Sequence, residues 1–427
     1  MPAIRKSAPR SRFPAWVRKG LALLAFGLVS ACATPPRLPA VPSALAAMAT
    51  PVIGPVRYLP TRDTSAMVEE GRSAFRKEQA WLKITGHEGE LPPVSYLAIS
   101  GGGDDGAFGA GLLVGWTSTG KRPEFKLVTG ISTGALIAPF AFLGPDYDHV
   151  LRAVYTEVSQ HDIFRSRNLL SAFFEDALAD TTPLQRLVGH YVDRSLLDAI
   201  AAEYAKGRLL LVGTTNLDSL EPVIWNMTAI AASRDPRAIE LFRKILIAST
   251  AIPAAFPPVM IDVEVDGIRY QEMHVDGGAM TQVFVYPPSI RLAEQSQAMG
   301  ADRQRTLYII RNARMDPDWA SVRRRTLPIA TRAVSSLIQT QAVGDLYRIY
   351  TTVQRDDVAF NLTFIPASFD VLHAKNFDPS YMRPLFKVGY DMAVAGRPWQ
   401  DHPPGWIAQT QGPAEGERRR ATSATER

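Results

Sequence analysis

Residues 130–134 form the pentapeptide Gly130-Ile131-Ser132-Thr133-Gly134, a G-x-S-x-G motif. A predicted strand, Phe125–Thr129, precedes it, and a helical pattern over Ser132–Phe142 follows it. Between a strand and a helix, the flanking glycines let the backbone turn sharply and expose the serine hydroxyl. The helix N-terminus would also favour negative charge developing near Ser132. The pattern therefore predicts a nucleophilic serine, although a serine that only caps the helix fits the same residues.

A glycine-rich segment, Gly101-Gly102-Gly103-Asp104-Asp105-Gly106, lies between the predicted strand Val94–Ile99 and the predicted helix Gly106–Trp116. Consecutive glycines leave backbone amides uncovered, so the first three are candidates for an oxyanion hole. The same glycines satisfy G-x-G-x-x-G of dinucleotide-binding domains. That alternative requires an acidic residue at the end of the next strand. The next strand instead runs into the serine motif, and its nearest acid, Glu124, precedes it.

The segment Asp276-Gly277-Gly278 follows a hairpin predicted at Asp266-Gly267, a pair suited to a type I′ turn. The glycines allow another loop to approach the Asp276 carboxylate, although Asp-Gly is also a common turn pair. To act as a base, this carboxylate must be shielded from bulk water and lie within hydrogen-bonding distance of Ser132. His274, two residues earlier, is expected to be structural. A histidine-containing triad is the alternative.

The order of these motifs resembles the patatin-like phospholipases: a glycine-rich loop, G-x-S-x-G about 30 residues later, and D-G-G much further on. The segments Gly213–Asp218 and Ala248–Pro253, the latter with Phe256-Pro257-Pro258, resemble further blocks of that family. The resemblance covers Val94–Met280 closely and the chain to about Ala395 loosely. It implies a three-layer α/β/α fold with a mainly parallel central sheet. It also implies a serine hydrolase that cuts lipid acyl esters, of the phospholipase or lysophospholipase type.

The resemblance also implies a role for each motif residue. Ser132 would be the nucleophile and Asp276 the base of a dyad without histidine, and the amides of Gly101, Gly102 and Gly103 would bind the oxyanion. The glycines that shape the loops would be Gly106, Gly130, Gly134, Gly277 and Gly278. The chain departs from the family at Asp105, where Arg or Lys is usual. An acid beside a site for negative charge motivates an alternative function, a catalytically silent, lipid-anchored binding protein with the same fold.

Alternating strand and helix patterns from about Leu91 onward predict an α/β domain. Besides the elements that flank the motifs, the sequence predicts further strands at Arg208–Thr214, Arg305–Ile310 and Val358–Phe364, and helices at Thr64–Leu82 and Ala330–Val353. We expect a signal peptide (1–31), a Pro/Ala-rich tether (32–62), a docking helical segment (63–90), a hydrolase domain (91–395) and a polar, disordered tail (396–427).

The first 31 residues combine six basic side chains with a short apolar run, Leu21–Val29, as in a secretory signal peptide. The following Val29-Ser30-Ala31-Cys32 resembles a bacterial lipobox, so Cys32 is the predicted lipid-attachment site. Cys32 is the only cysteine, which excludes an intrachain disulfide. The chain is therefore expected in the cell envelope as a lipid-anchored membrane protein. Ala33 in place of Asp favours the outer membrane or periplasmic face.

The charge of the chain argues against a nucleic-acid partner. The formal net charge is +5, but without the first 31 residues 41 basic and 42 acidic side chains remain. A nearly neutral body provides no electrostatic attraction for a polyanion. No spacing such as H-E-x-x-H is present, so the sequence predicts no metal and no cofactor. The expected partners are a lipid ester substrate and, through Cys32, a membrane.

Overall fold

The computed structural model describes residues 37–166, 176–316, 319, 321–396 and 398–406. The predicted signal peptide, Cys32 and most of the predicted tail lie outside these ranges. The strands are β1 Thr50–Pro51, β2 Arg57–Tyr58, β3 Val94–Ile99, β4 Phe125–Gly130, β5 Arg165–Ser166, β6 Ala179–Asp180, β7 Leu209–Asn216, β8 Glu221–Asn226, β9 Val259–Val265, β10 Ile268–Asp276, β11 Arg305–Arg311 and β12 Ala359–Phe364. The helices are α1 Ser65–Ile84, α2 Gly106–Ser118, α3 Thr133–Leu143, α4 Asp148–Thr156, α5 Gln160–Ile163, α6 Thr182–Tyr191, α7 Arg194–Ala205, α8 Met227–Ala232, α9 Ala238–Ser249, α10 Leu292–Ala298, α11 Thr326–Arg355 and α12 Pro379–Val394.

Five strands in the order β7-β4-β3-β11-β12 form the parallel centre of the main sheet. Antiparallel strands extend it on the β7 side through β10, β9 and β1, and through β8 and β2. Strand β3 is apolar except for Ser95, because both faces of a parallel sheet are covered. The predicted fold class, α/β with helices on both sides of a mainly parallel sheet, is confirmed.

Strand β7 determines where the two predicted catalytic segments meet. Its residues 211–216 pair with β8 along one edge. Along the opposite edge, β4 pairs with residues 209–212 and β10 pairs with residues 214–216. Strand β4 runs towards β10, ending at Gly130 opposite Val212, while β10 runs towards β4 and ends at Asp276 opposite Thr214. The two strands therefore approach each other end to end, which brings the loops after them together.

The helices pack on the sheet as two layers around separate hydrophobic clusters. One cluster contains buried residues of α2, α3, α7, α9 and α12, and the other contains buried residues of β3, β11, β12 and the second half of α11. Pro139 lies inside α3 without shortening it, because the helix continues to Leu143. None of the described helices combines the length and the hydrophobicity needed to cross a bilayer.

Residues 37–62 do not behave as the free tether that their composition predicts. Strand β1 pairs with β9 and β2 pairs with β8, both at sheet edges. The Arg37 guanidinium donates to both Asp218 carboxylate oxygens. The Gln271 backbone amide donates to the Pro39 carbonyl at 3.1 Å. Proline-rich chain is extended, and an extended segment can also serve as an edge strand. The segment is therefore part of the folded body from Arg37 onward.

Helix α1, which the sequence predicts over Thr64–Leu82, docks through a buried ion cluster. Glu78 on its inner face accepts from both terminal nitrogens of Arg303 and pairs with Lys126 at 2.8 Å. Burial alone would raise the pKa of Glu78, but these two cations lower it overall. The cluster fixes the helix to the sheet at the end opposite the motif loops, since Lys126 lies at the start of β4.

Candidate active site

Ser132 lies on a sharp turn between β4 and α3. Its backbone has φ 54° and ψ −125°, a left-handed conformation that a non-glycine residue adopts only under constraint from its surroundings. The Ser132 amide donates to the Ser249 hydroxyl at 3.0 Å, and that hydroxyl donates to the Gly213 carbonyl at 2.7 Å. Ser249 therefore ties the turn to β7. The sequence does not predict this contact, although Ser249 lies in the segment Ala248–Pro253 that resembles a block of the family.

The glycines on either side of Ser132 permit this turn. A Cβ at Gly130 would lie 2.4 Å from the Gly134 carbonyl oxygen, and one at Gly134 would lie 2.3 Å from the Ile99 carbonyl oxygen. Both contacts are with backbone, which cannot move aside cheaply. Gly106 is restricted in a similar way, because a Cβ there would lie 2.2 Å from the Thr133 hydroxyl. These three predicted motif glycines are therefore required by packing around the serine turn.

Asp276, at the end of β10, is buried beside Ser132. Burial raises the pKa of its carboxyl from 3.8 to about 6, and the nearby Ser132 side chain and the Gly278 amide partly oppose that rise. The Gly278 amide donates to Oδ1 at 2.7 Å. The Asp276 amide donates to the Ala251 carbonyl at 2.9 Å. The structure thus brings together the predicted hydroxyl and carboxylate, in surroundings that make the carboxylate more basic.

Gly277 is restricted by the same close packing, since a Cβ there would lie 2.6 Å from the Gly213 carbonyl oxygen. Gly213 itself faces Ile131, the residue before Ser132. The loops that carry Ser132 and Asp276 therefore both rest on the Gly213 segment of β7. Their separation depends on that strand.

The glycine-rich loop agrees only in part with the predicted oxyanion hole. The Gly101 amide donates to the Gln282 carbonyl at 3.1 Å, so it is not free to bind another oxygen. The Gly101 amide, which the resemblance implies as an oxyanion donor, is thus engaged within the protein. Gly101 instead provides space, because its missing side chain would lie 3.2 Å from the Ser132 Cβ. Among the described residues, the amides of Gly102, Gly103 and Thr133 have no acceptor.

Two side chains that the sequence did not single out hold this loop. The Asn312 side chain accepts from the Gly109 amide at 3.0 Å and donates to the Ser100 carbonyl at 3.0 Å. A Cβ at Gly102 would lie 2.0 Å from the Asn312 carbonyl oxygen. The Gln282 side chain donates through Nε2 to the Gly278 carbonyl at 2.7 Å. The Gln282 backbone carbonyl accepts a hydrogen bond from the Gly101 amide. Gln282 therefore links the glycine-rich loop to the Asp276 loop.

The two acids in the loop, Asp104 and Asp105, bind a distant segment of the chain. The Asp104 carboxylate accepts from His373 Nε2 at 2.8 Å and from the Phe377 amide at 2.7 Å. The Asp105 carboxylate accepts from the Tyr381 hydroxyl at 2.6 Å. Burial raises the pKa of Asp105 to about 6, although the hydrogen bond from Tyr381 partly opposes that rise. Both carboxylates thus bind residues at or just before the start of α12.

His274 is a structural residue, as expected. It is fully buried, and its Nδ1 lies 2.9 Å from the Thr214 hydroxyl and its Nε2 3.2 Å from Glu272. Both ring nitrogens are engaged, and neither contacts Ser132. Burial alone would raise the pKa of Glu272, but hydrogen bonds from His274 and Arg57 lower it to about 2. This network attaches β2 to the strand that carries Asp276.

Apolar cavities flank the two loops. One, of about 220 Å³, is lined by Ile131 and Gly277, each adjacent in sequence to a predicted catalytic residue, and by parts of β8 and α11. A smaller one, of about 60 Å³, begins at Thr133 and lies among α3, α4 and α6. Within the described ranges, no group of three or more His, Cys, Asp or Glu side chains could hold a metal ion.

Comparison with known families assigns the segment that contains both loops. Residues 97–287 match the family model described as Patatin-like phospholipase. This segment is therefore similar to the patatin-like phospholipase family. No curated protein sequence matches the chain.

Solved structures with some likeness to this chain include VipD from Legionella pneumophila, at 12% identity and a TM-score of 0.30, over 72% of this chain and 66% of that one. Human GIVD cytosolic phospholipase A2 aligns at 10% identity and a TM-score of 0.27, over 65% of this chain and 50% of that one. The structure of human GIVD cytosolic phospholipase A2 in complex with methyl gamma-linolenyl fluorophosphonate aligns at 10% identity and a TM-score of 0.28, over 78% of this chain and 62% of that one. The chain thus spans between half and two thirds of these proteins, and TM-scores this low carry no functional argument.

Proposed function

We propose that this chain is a lipid acyl hydrolase that uses Ser132 as nucleophile and Asp276 as general base. The observation that carries the proposal is the placement of Ser132, on its left-handed turn, beside the buried Asp276 carboxylate, whose pKa is raised to about 6. A carboxylate with a raised pKa is a better proton acceptor, and it remains mostly ionised at neutral pH. The patatin-like domain supports a lipid ester as substrate.

The reaction follows from this arrangement. Ser132 Oγ attacks the ester carbonyl while its proton passes to Asp276, and a tetrahedral oxyanion forms. The free amides of Gly102, Gly103 and Thr133 are the donors proposed to stabilise this oxyanion, with Thr133 at the N-terminus of α3. The intermediate expels the alcohol, which takes the proton from Asp276. Water, deprotonated by Asp276, then hydrolyses the acyl-enzyme.

The acidic loop residues are compatible with this proposal. Asp104 and Asp105 direct their carboxylates to His373, Phe377 and Tyr381. The two carboxylates that motivated the alternative of a silent binding protein are thus hydrogen-bonded within the protein. The cavity beside Ile131 and Gly277 offers apolar space for an acyl chain.

Active-site labelling tests the proposal. A fluorophosphonate probe is expected to modify Ser132 in the wild-type chain, and Ser132→Ala is expected to abolish both labelling and hydrolysis of a soluble short-chain ester. Thr129→Ser is a matched control, because its hydroxyl lies three residues earlier, on β4, and contacts the Phe284 carbonyl. Full ester hydrolysis by Ser132→Ala, or no labelling of the wild type under any condition, would refute the proposed dyad.

We also propose that Cys32 carries the lipid anchor and places the chain in the cell envelope. Support comes from the lipobox-like sequence and from the contact of Arg37 with Asp218, because Arg37 lies only five residues after Cys32. Five residues can span at most roughly 17 Å, so an anchor at Cys32 would hold the domain close to a membrane. Metabolic labelling with a fatty-acid analogue is expected to mark the wild type and not Cys32→Ala. Equal labelling of both would refute the anchor.

A further inference from the structure

The first half of α11 projects beyond the edge of the sheet that carries the proposed dyad. Asp345 on this helix accepts from the Gln282 amide at 2.7 Å, beside the glycine-rich loop. Six residues earlier along the helix, Gln339 accepts from Arg311 at 3.0 Å, at the end of β11. Since an α-helix rises about 1.5 Å per residue, residues 329–338 lie about 10–24 Å beyond Asp345 along its axis.

This projecting half exposes its apolar face. The exposed fractions are 50% for Ile329, 54% for Val334, 70% for Leu337 and 37% for Ile338. With Ala333, these residues follow the spacing i, i+4, i+5, i+8, i+9, which places them on one side of a helix. Gln339, on the other side, binds Arg311 and the Arg314 carbonyl. The usual arrangement is thus reversed, with the polar side against the protein and the apolar side outward.

The same region is positively charged. Residues 319–344 contain four arginines and no acidic residue. Arg323, Arg324 and Arg325, directly before the helix, are exposed, and none of the three has an ion pair among the described residues. Trp319 nearby is also exposed. An amphipathic helix with adjoining arginines and an aromatic residue is typical of segments that lie in the headgroup region of a bilayer.

We propose that the exposed apolar face of α11 (Ile329, Ala333, Val334, Leu337 and Ile338), together with Arg323–Arg325, docks on the surface of an anionic lipid bilayer. The inference rests on the proposed function in one respect, because a lipid hydrolase needs access to a bilayer. Docking through this face would bring the edge that carries Ser132 close to the membrane. The arginines supply attraction to anionic headgroups, and the apolar side chains insert among the acyl chains.

Site-specific fluorescence tests this surface. Because Cys32 is the only cysteine, the full chain with Cys32→Ala and Leu337→Cys can be labelled at one position with an environment-sensitive dye. Adding vesicles of phosphatidylcholine and phosphatidylglycerol is expected to shift the emission to the blue. The matched control is Val394→Cys in the same background. Val394 is also half-exposed but ends α12, whose first turn binds the glycine-rich loop. Its label is expected to show no shift.

The outcomes separate this proposal from its alternatives. Replacing Arg323, Arg324 and Arg325 together by Glu is expected to abolish the shift at Leu337→Cys. No shift, an equal shift at both labels, or an equal shift with purely zwitterionic vesicles would overturn the proposal. So would a blue shift that grows with protein concentration without vesicles, since a second copy would then cover the face. A shift without hydrolysis of any ester would leave the docking surface standing and refute the proposed function, whereas soluble-ester hydrolysis without a shift would do the reverse.

Discussion

Replacing Asp276 by Asn is expected to stop hydrolysis and, at the same time, to make the folded protein more stable at neutral pH. Burial raises the pKa of Asp276 to about 6, whereas the same carboxyl in the unfolded chain titrates near 3.8. Above pH 6 the folded state must therefore hold a charge that its surroundings disfavour. A difference of about two pKa units, at about 1.4 kcal/mol per unit, corresponds to at most about 3 kcal/mol.

The sign of this effect depends on pH. Below pH 3.8 the carboxyl is protonated in both states, so the ionisation cost is absent. Between pH 3.8 and 6 the unfolded chain loses its proton first, and the stability of the wild type falls as the pH rises. Asn carries no charge and keeps an oxygen that can accept from the Gly278 amide. The gain from Asp276→Asn is therefore expected to be small at pH 4 and largest above pH 6.

Urea unfolding of the wild type and Asp276→Asn at pH 4 and pH 8 measures this difference. Asp302→Asn, on an exposed residue, is the matched control and is expected to change the free energy of unfolding little at either pH. A variant that is less stable than the wild type at pH 8 would refute the reasoning. A gain of the same size at both pH values would also refute it, because the effect would then not arise from ionisation.

Further predictions concern the rate, the oxyanion loop and the N-terminal segment. The value of kcat/KM on a soluble ester is expected to rise about tenfold per pH unit below pH 6 and to level off above it, because Asp276 must be ionised; a flat profile from pH 5 to 7 would contradict this. Gly102→Ala is expected to lower kcat much more than Gly71→Ala, because a Cβ at Gly102 would lie 2.0 Å from the Asn312 carbonyl oxygen, whereas a Cβ at Gly71 has open space. Equal activities of the two variants would count against the loop's role. Arg57→Ala is expected to destabilise the fold by about 3–5 kcal/mol, because it leaves the buried Glu272 without its cation. Thermal unfolding checks this, and no change in the midpoint would contradict it.

The sequence predicts the central strands and the turn at Ser132 well because local signals determine them. The strand Val94–Ile99 has the predicted bounds, since a continuous apolar run ends at consecutive glycines. Strand, glycine, serine and helix follow one another in β4 and α3, so the turn at Ser132 depends on neighbours in the chain. The Asp266-Gly267 turn likewise fixes the hairpin that leads to Asp276, with φ 50° and 78° at its two residues.

The parts that could not be predicted depend on contacts between distant residues. Gly101 and Gln282 are 181 residues apart, and no local pattern predicts that the Gly101 amide donates to the Gln282 carbonyl. Asp104 and Asp105 were interpreted by charge alone, since their partners His373 and Tyr381 come more than 260 residues later. The proline-rich segment around β1 and β2 was interpreted by composition, which does not distinguish a free extended chain from an edge strand.

The end-to-end meeting of β4 and β10 along one edge of β7 has a consequence for length variation in this chain. Removing a single residue between Val212 and Thr214 would shorten the spacer by about 3.3 Å and turn the side chains that follow to the other face of the strand. Adding residues to the surface connections between β4 and β10 would leave that spacing unchanged and would cost little loop-closure entropy. Insertions should therefore be tolerated in those surface connections, whereas a deletion within Val212–Thr214 should abolish activity.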